Sequence, residues 1–594
     1  MITIFKNLSY LLDRREKIQV IGLFFLLLVG SLLEMLGVGF VVPFISLISQ
    51  PDLLQQQPFL NWLYQRLNSP ASTQFILLLC LLYLGIYLFK NTYIAGMYYL
   101  QYRFVFTKQR KLADQLLKRY LFAPYISHLQ RNTAVLIRNL TEEVNHLFSG
   151  VLVPFVIFIT ELTVLTGLVI LLVLLKPIPS LLLGLFFGSA GLIFYRCFKA
   201  QLSQAGGERQ THFAQVLQQV NQGLGGVKET KLLGRENFFL EHHSFHRKKF
   251  VQALQLLETL QQLPKLYFET LAIFGLLGIV MIMLWQGASM TEVLPTLSLF
   301  AAAAFRLMSA LNRVLNGLNQ MSFSRYALDV IANEFRELDV KTHCLPSQKT
   351  IIPELKSELT LETVSYGYPQ AKNAVLKNVS MRIPQGNSVG FVGTSGAGKT
   401  TLVDVILGLL TPTTGKVAVD GVNIQDDLRG WQQQIGYIPQ NIYLCDDTLR
   451  GNIAFGVPET EISDEQVWSA LKSAQLETWV KSLPEGLETV VGERGVRLSG
   501  GQRQRVAIAR SLYHNPQVLV MDEATAALDN ETEADIMAAV EQLSGEKTLI
   551  MIAHRLTTVK NCDCLYFLEE GEIIDQGTYE QLRDRHANFF QLAQ

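Results

Sequence analysis

The sequence predicts a multidomain chain: an all-α membrane domain of six transmembrane helices, followed by an α/β domain built around a phosphate loop. Three observations carry that prediction. The 594 residues have a mean hydropathy of +0.23 with only 17% charged residues, which is too apolar for an ordinary soluble protein and long enough for several domains. The apolar residues collect in six stretches in the first half of the chain, each long enough to cross a bilayer, which takes about 20 residues. Residues 393–401 read Gly-Thr-Ser-Gly-Ala-Gly-Lys-Thr-Thr, the phosphate-loop spacing of glycines, lysine and hydroxyl.

The apolar stretches lie near 19–47, 75–100, 148–175, 179–198, 266–285 and 293–318. The first is too long, and too poor in cleavage-site character, for a signal peptide. Basic residues orient the set. Lys6, Arg14, Arg15 and Lys17 precede the first stretch, and Arg103, Lys108, Arg110, Lys111, Lys118 and Arg119 crowd the second loop. The first loop has only Arg66, the third only Lys176, and the fifth none. That bias places both termini and the two long loops in the cytoplasm, on the inner side of a plasma membrane. The long loops, 102–147 and 199–265, mix apolar and charged residues with few breakers, as helices continued beyond the bilayer do. Glycines at 223, 225 and 226 interrupt the second, leaving either a short crosswise helix that docks on another domain or a hairpin tip.

Outside the membrane, residues 58–68 open with Pro58 and set Phe59, Leu60, Leu63 and Leu67 along one side, which predicts an amphipathic helix on the outer surface. Inside it, Glu34, Glu161, Glu269, Arg306 and Arg313 are costly and call for a water-filled cavity or mutual pairing. Arg306 and Arg313 are the candidates for an anionic substrate group, with intramembrane ion pairing as the alternative. The membrane domain is expected over 1–320, a polar linker over 321–355, and the α/β domain over 356–594. Equal numbers of basic and acidic residues, 51 each, point away from nucleic acid. The six cysteines suggest neither disulfides nor a zinc site.

The chemistry follows the phosphate loop. An apolar strand precedes it and a helix follows, so Gly393, Ser395, Gly396 and Gly398 can turn backbone N–H groups toward phosphate oxygens at a helix N-terminus. Lys399 would reach the β and γ phosphates of ATP, Thr400 would ligate Mg²⁺, and Thr401 completes the loop. The strand at 518–521 ends in Asp522 and Glu523. Asp522 suits the shell of the metal, and Glu523 suits polarisation of the attacking water. A second glycine turn, Leu498-Ser499-Gly500-Gly501-Gln502, opens another helix and so offers a second phosphate-binding N-terminus.

That second turn is similar to the signature sequence of ABC transporters, and the resemblance extends over essentially the whole chain. It implies that Ser499, Gly500, Gly501 and Gln502 of one copy face the phosphate loop of another, so that a homodimer sandwiches two ATPs. It further implies that Tyr368 stacks on adenine, with Tyr366 the alternative, and that Gln440 senses Mg²⁺ and the γ phosphate. His554 matches the switch histidine, and Asp529 ends Ala526-Ala527-Leu528-Asp529, where the family more often has serine first. Val490 stands where exporters of this type usually have glutamate. The six spans, Leu33 to Gly39 and the external helix resemble PglK-type flippases of lipid-linked oligosaccharides. The function implied is ATP-driven export or flipping of a hydrophobic, lipid-linked anionic substrate. A general lipid, drug or peptide exporter is the first alternative, and an ATP-gated channel or regulatory membrane protein the second.

Overall fold

The computed structural model describes residues 2–11, 13–39, 72–175, 177–287, 290–342, 354–369, 371, 373–522, 530–552, 555–586 and 589. The chain forms two compact units, Met1–Ala123 with Ser127–His343, and Pro124–Ile126 with Cys344–Gln594. The external segment 58–68 lies outside the described residues.

The described residues of the first unit are almost entirely helical. Its main helices are α1 (Ile2–Leu11), α2 (Arg14–Gly39), α3 (Ser72–Leu121), α4 (Val153–Leu175), α5 (Pro177–Gly225), the short α6 (Val227–Leu232), α7 (Glu236–Trp285) and α8 (Met290–Thr342). With 50, 49, 50 and 53 residues, α3, α5, α7 and α8 are far longer than a bilayer requires. At 1.5 Å per residue they reach roughly 75 Å, against a hydrocarbon core of about 30 Å. Their excess length makes the long polar loops helical. Among the described residues, Arg14–Gly37, Leu77–Leu121, Thr133–Leu174 and Glu236–Trp285 are long and apolar enough to cross a membrane. The fourth and sixth expected spans fall on α5 and α8. Leu174, Leu185, Phe274 and Trp285 stand exposed along these helices, as side chains facing lipid do.

One expectation is corrected here. Residues 321–342, read as the start of a linker, continue α8 without a break. Mixed charge concealed a helical repeat: Ser324, Leu328, Ile331, Phe335 and Leu338 are buried at spacings of three and four, which is one face of a helix.

A second detail explains how α7 stays continuous through a proline. Pro264 lies inside it and has no N–H for the carbonyl of Leu260, four residues back. The amide of Asn319, on α8, donates to that carbonyl at 3.4 Å, and Gln261 donates to Gln320 at 2.6 Å beside it. The neighbouring helix thus replaces the hydrogen bond that the proline removes.

The second unit is an α/β domain with two sheets. One is antiparallel, in the order β2-β1-β4-β5, from Leu376–Pro384, Glu358–Tyr366, Thr414–Val419 and Val422–Asn423. The other runs β10-β9-β3-β8-β7-β6, from Glu572–Gly577, Cys564–Glu569, Ser388–Val392, Thr548–Ile552, Val518–Asp522 and Ile435–Ile438. It is parallel except for β10. Strands β3, β7 and β8 are buried at every residue, because parallel sheets are covered on both faces. One hydrophobic core surrounds α9 (Lys399–Ile406) and includes Trp431, whose indole N–H donates to the Ile406 carbonyl at 2.7 Å. The other gathers α10 (Leu449–Ile453), α11 (Asp464–Ser473) and α12 (Gly500–Leu512).

Candidate functional site

The phosphate loop connects β3 to α9. Gly393 and Gly398 adopt φ of +154° and +100°, a region that disfavours any side chain. At Gly393 a Cβ would also collide with the Leu568 carbonyl, and at Gly398 it would press on Leu376 and the Val375 carbonyl. Between them Thr394, Ser395 and Gly396 form an exposed rim, while Lys399 is buried behind it. The lysine folds back, and its ammonium donates to the carbonyls of Gly393 and Thr394 at 2.8 and 3.0 Å. These are the contacts that incoming phosphate oxygens would replace. Thr400 is exposed and Thr401 buried at the first turn of α9.

The two tyrosines separate clearly. Tyr366 is buried in the core, whereas the partly buried Tyr368 shares a hydrogen bond of 3.3 Å with Thr401 Oγ1. Their rings meet edge to face with centroids 5.2 Å apart. Tyr368 is therefore the aromatic at the edge of the loop.

Asp522 ends β7, which is separated from β3 by β8 alone, so the loop and the acid lie at the same end of one sheet. Asp522 is buried. Burial pushes Asp404, on α9, up to about 6, and the nearby charge of Asp522 adds to the shift. Burial and the same two carboxylates also raise the Tyr437 hydroxyl. Crowded carboxylates beside a phosphate cradle are a donor set that suits a divalent cation. Gln440 is exposed just beyond β6. Glu523, Asp529 and His554 lie outside the described residues.

The signature turn belongs to the other core. Ser499 caps α12 in a reciprocal box: its hydroxyl accepts from Gln502 N at 3.2 Å, and its own N–H donates to the Gln502 side chain at 2.9 Å. Ser499 and Gly500 are exposed and Gly501 half-buried. The 13-residue helix thus presents its positive end to solvent.

In the membrane unit the isolated charges come together. The Arg313 guanidinium meets Glu161 with two bonds, 2.6 and 3.2 Å. Arg306 meets Glu34 at 3.2 Å and Glu161 at 3.6 Å. Lys90 of α3, a basic residue within the second apolar stretch, lies 3.6 Å from Glu34 and 3.8 Å from the centre of the Tyr87 ring. Helices α2, α3, α4 and α8 each contribute, around a narrow cavity that also touches Ser31 and Tyr98. Glu269 of α7 is exposed and joins none of these pairs. Lys90 was detectable as a lone charge within the second apolar stretch; its partners were not.

The sequence pattern described as "ABC transporter" matches residues 376–526. The ATP-dependent lipid A-core flippase of Cupriavidus pinatubonensis is 32% identical over 480 residues, 80% of each chain. That of Ralstonia nicotianae is 30% identical over 487 residues, again 80% of each. Multidrug resistance protein 1 of Entamoeba histolytica is 40% identical over 253 residues, 42% of this chain and 19% of that protein. The fold matches the solved structure of a bacterial Atm1-family ABC exporter with ATP bound, with a TM-score of 0.76, 23% identity and 98% of both chains covered. The chain belongs to the ABC transporter family, as an exporter-type half-transporter whose helical membrane domain is followed by one nucleotide-binding domain that couples ATP hydrolysis to transport.

Proposed function

We propose that two copies of this chain form a homodimer in the inner (plasma) membrane, with both termini cytoplasmic, and flip a lipid-linked anionic substrate from the inner to the outer leaflet. A lipid-linked oligosaccharide is the substrate we favour. The observation that carries this reading is the intramembrane network. It holds three cations, Lys90, Arg306 and Arg313, against two carboxylates, Glu34 and Glu161. Glu161 is fully enclosed, while the Arg313 side chain is 43% exposed. A surplus positive charge at that depth is expensive unless an anion completes it, and a pyrophosphate group suits a guanidinium fork.

Dimerisation follows from the nucleotide domain. Each chain has one phosphate loop and one exposed signature helix, built on different cores. Two copies arranged head to tail give two composite sites. There the loop and Lys399 hold the phosphates, Tyr368 stacks on adenine, and Ser499 to Gln502 of the other copy cover the γ phosphate with Asp529 nearby. Thr400, Gln440 and Asp522 would hold Mg²⁺, which neutralises phosphate charge when bound. Glu523 orients the attacking water and accepts its proton, and His554 donates to the γ phosphate. Contacts made only in the closed dimer shift the population toward an outward-facing state, and their loss on hydrolysis resets it.

A second reading, transport of a lipid A-type glycolipid, is favoured by the names of the relatives that align over 80% of this chain. Proteoliposomes loaded with fluorescent polyprenyl-pyrophosphate oligosaccharide or with lipid A test both, read by access to an impermeant quencher. The expected result is ATP-dependent movement of the oligosaccharide lipid that Glu523→Gln abolishes. Movement of lipid A alone would transfer the assignment to the second reading.

A further inference from the structure

We infer that the cytoplasmic ends of α5 and α8 form a second anion site, which takes the phosphate headgroup of a lipid from the inner leaflet. This rests on the membrane orientation proposed above, and it goes beyond the intramembrane network. A crevice of about 60 Å³ opens between the two helices, room for a few waters or one phosphate group. Tyr195, Lys199 and Ser203 of α5 line one wall, and Ser322 and Arg325 of α8 the other, over an apolar floor that includes Met321.

The chemistry of the lining selects the ligand. Two cations and three hydroxyl residues line the crevice, of which Ser322 donates to the Leu318 carbonyl at 2.8 Å, and no carboxylate lines it. Lys199 forms no ion pair among the described residues, and its ammonium lies 5.5 Å from the centre of the Tyr195 ring. Among the described residues Arg325 pairs loosely with the half-exposed Asp329 at 3.4 Å, and that carboxylate also accepts from Asn7 at 2.9 Å. The cations are thus available to an anion.

Position selects a lipid rather than a soluble ion. Lys199 follows the fourth apolar stretch directly, and Arg325, seven residues past the sixth, lines the same crevice, near the depth where basic side chains meet lipid phosphates and a tyrosine ring sits well. Two and three turns up α5 from Tyr195, a side chain at Gly188 or Gly184 would meet nothing within 4 Å. Leu192, one turn up, is 52% exposed. The side of α5 above Tyr195 is therefore open at these positions, which leaves room for an acyl chain beside the crevice.

The test uses the full-length protein in phosphatidylcholine nanodiscs carrying a minor fraction of dioleoylphosphatidic acid, with native mass spectrometry counting the lipids retained. Wild type is expected to retain phosphatidic acid over phosphatidylcholine. Lys199→Gln and Arg325→Gln each reduce that preference by roughly fivefold. Lys199→Arg keeps it, and glycerol 3-phosphate or inorganic phosphate does not displace the lipid. Basal ATP hydrolysis in pure phosphatidylcholine stays at the wild-type rate in both glutamine variants, showing them folded. Undiminished retention in the Lys199→Gln/Arg325→Gln double variant would overturn the site. Displacement by glycerol 3-phosphate would overturn the lipid assignment. Because the readout is phosphatidic acid retention, a failure of the oligosaccharide assay leaves this result standing, and the reverse also holds.

Discussion

The phosphate loop and the intramembrane ion network both concentrate charge in a confined space, but the chain builds them in opposite ways. The loop is nine consecutive residues, 393–401, whose backbone does most of the work. The network draws five side chains from four helices, spread from Glu34 to Arg313. A site made of local backbone leaves its geometry in residue spacing, because Gly393 and Gly398 must be glycine for reasons of φ and close approach. A site made of distant side chains leaves only isolated charges in apolar sequence.

This difference predicts different responses to mutation. The largest effect belongs to the loop. Lys399→Ala is expected to lower ATP hydrolysis by at least about a hundredfold, with the melting temperature nearly unchanged, measured by phosphate release and thermal unfolding of the same preparation. A matching loss of stability would show that the lysine supports the fold rather than the chemistry.

In the membrane unit the order should invert, with stability lost first. Glu161→Leu strands Arg313 and Arg306 beside a buried apolar group, and breaking a buried pair costs about 3–5 kcal/mol. The half-exposed Arg313 places this case at the lower end. Thermal unfolding in detergent should show the loss, and Glu161→Leu/Arg313→Leu should regain part of it. If the double variant is as unstable as the two single losses combined, the pairing is not a unit.

A smaller effect tests the α7–α8 joint. Asn319→Leu leaves the Leu260 carbonyl unsatisfied at a cost of about 1–3 kcal/mol, while Pro264→Ala restores the intrahelical bond and should make the Asn319 change nearly harmless. Equal destabilisation by Asn319→Leu with and without the proline would remove that explanation.

The smallest effect returns to the nucleotide domain. Burial pushes the Asp420 carboxyl upward, but backbone N–H groups of Glu358, Lys356 and Ser357 donate to it and more than offset this, holding it below the usual carboxylate range. A depressed folded value means stability that is present above the unfolded value of about 3.9 and lost as pH falls through the folded one. Asp420→Asn should therefore lower stability near neutral pH by less than about 1 kcal/mol. That difference should close as melting is followed below about pH 4. A constant difference across that range would contradict the hydrogen-bond account.

Much of the fold and of the nucleotide site was readable for the same reason the loop was. The phosphate loop, the strand ending at Asp522 and the signature turn are contiguous, and the structure brings the first two to one end of a sheet across a single strand. Spacing alone does not separate Tyr366 from Tyr368, whereas the structure buries the first and sets the second beside Thr401. Lys90 was visible as a charge but not as a partner of Glu34. The Asn319–Leu260 contact, 59 residues apart, left no trace in spacing. The end of α8 was hidden because charged residues between its buried positions resemble linker composition. The segment 58–68, Glu523, Asp529 and His554 lie outside the described residues, and the expectations for them rest on the sequence.

The most direct test of the central claim, that an anionic lipid completes the membrane network and drives the nucleotide cycle, is ATP hydrolysis in liposomes with and without polyprenyl-pyrophosphate oligosaccharide. The account predicts stimulation in the wild type, none in Glu523→Gln, and a weakened response in Arg306→Ala. A wild-type rate that is indifferent to that lipid, in protein that still hydrolyses ATP, would contradict it.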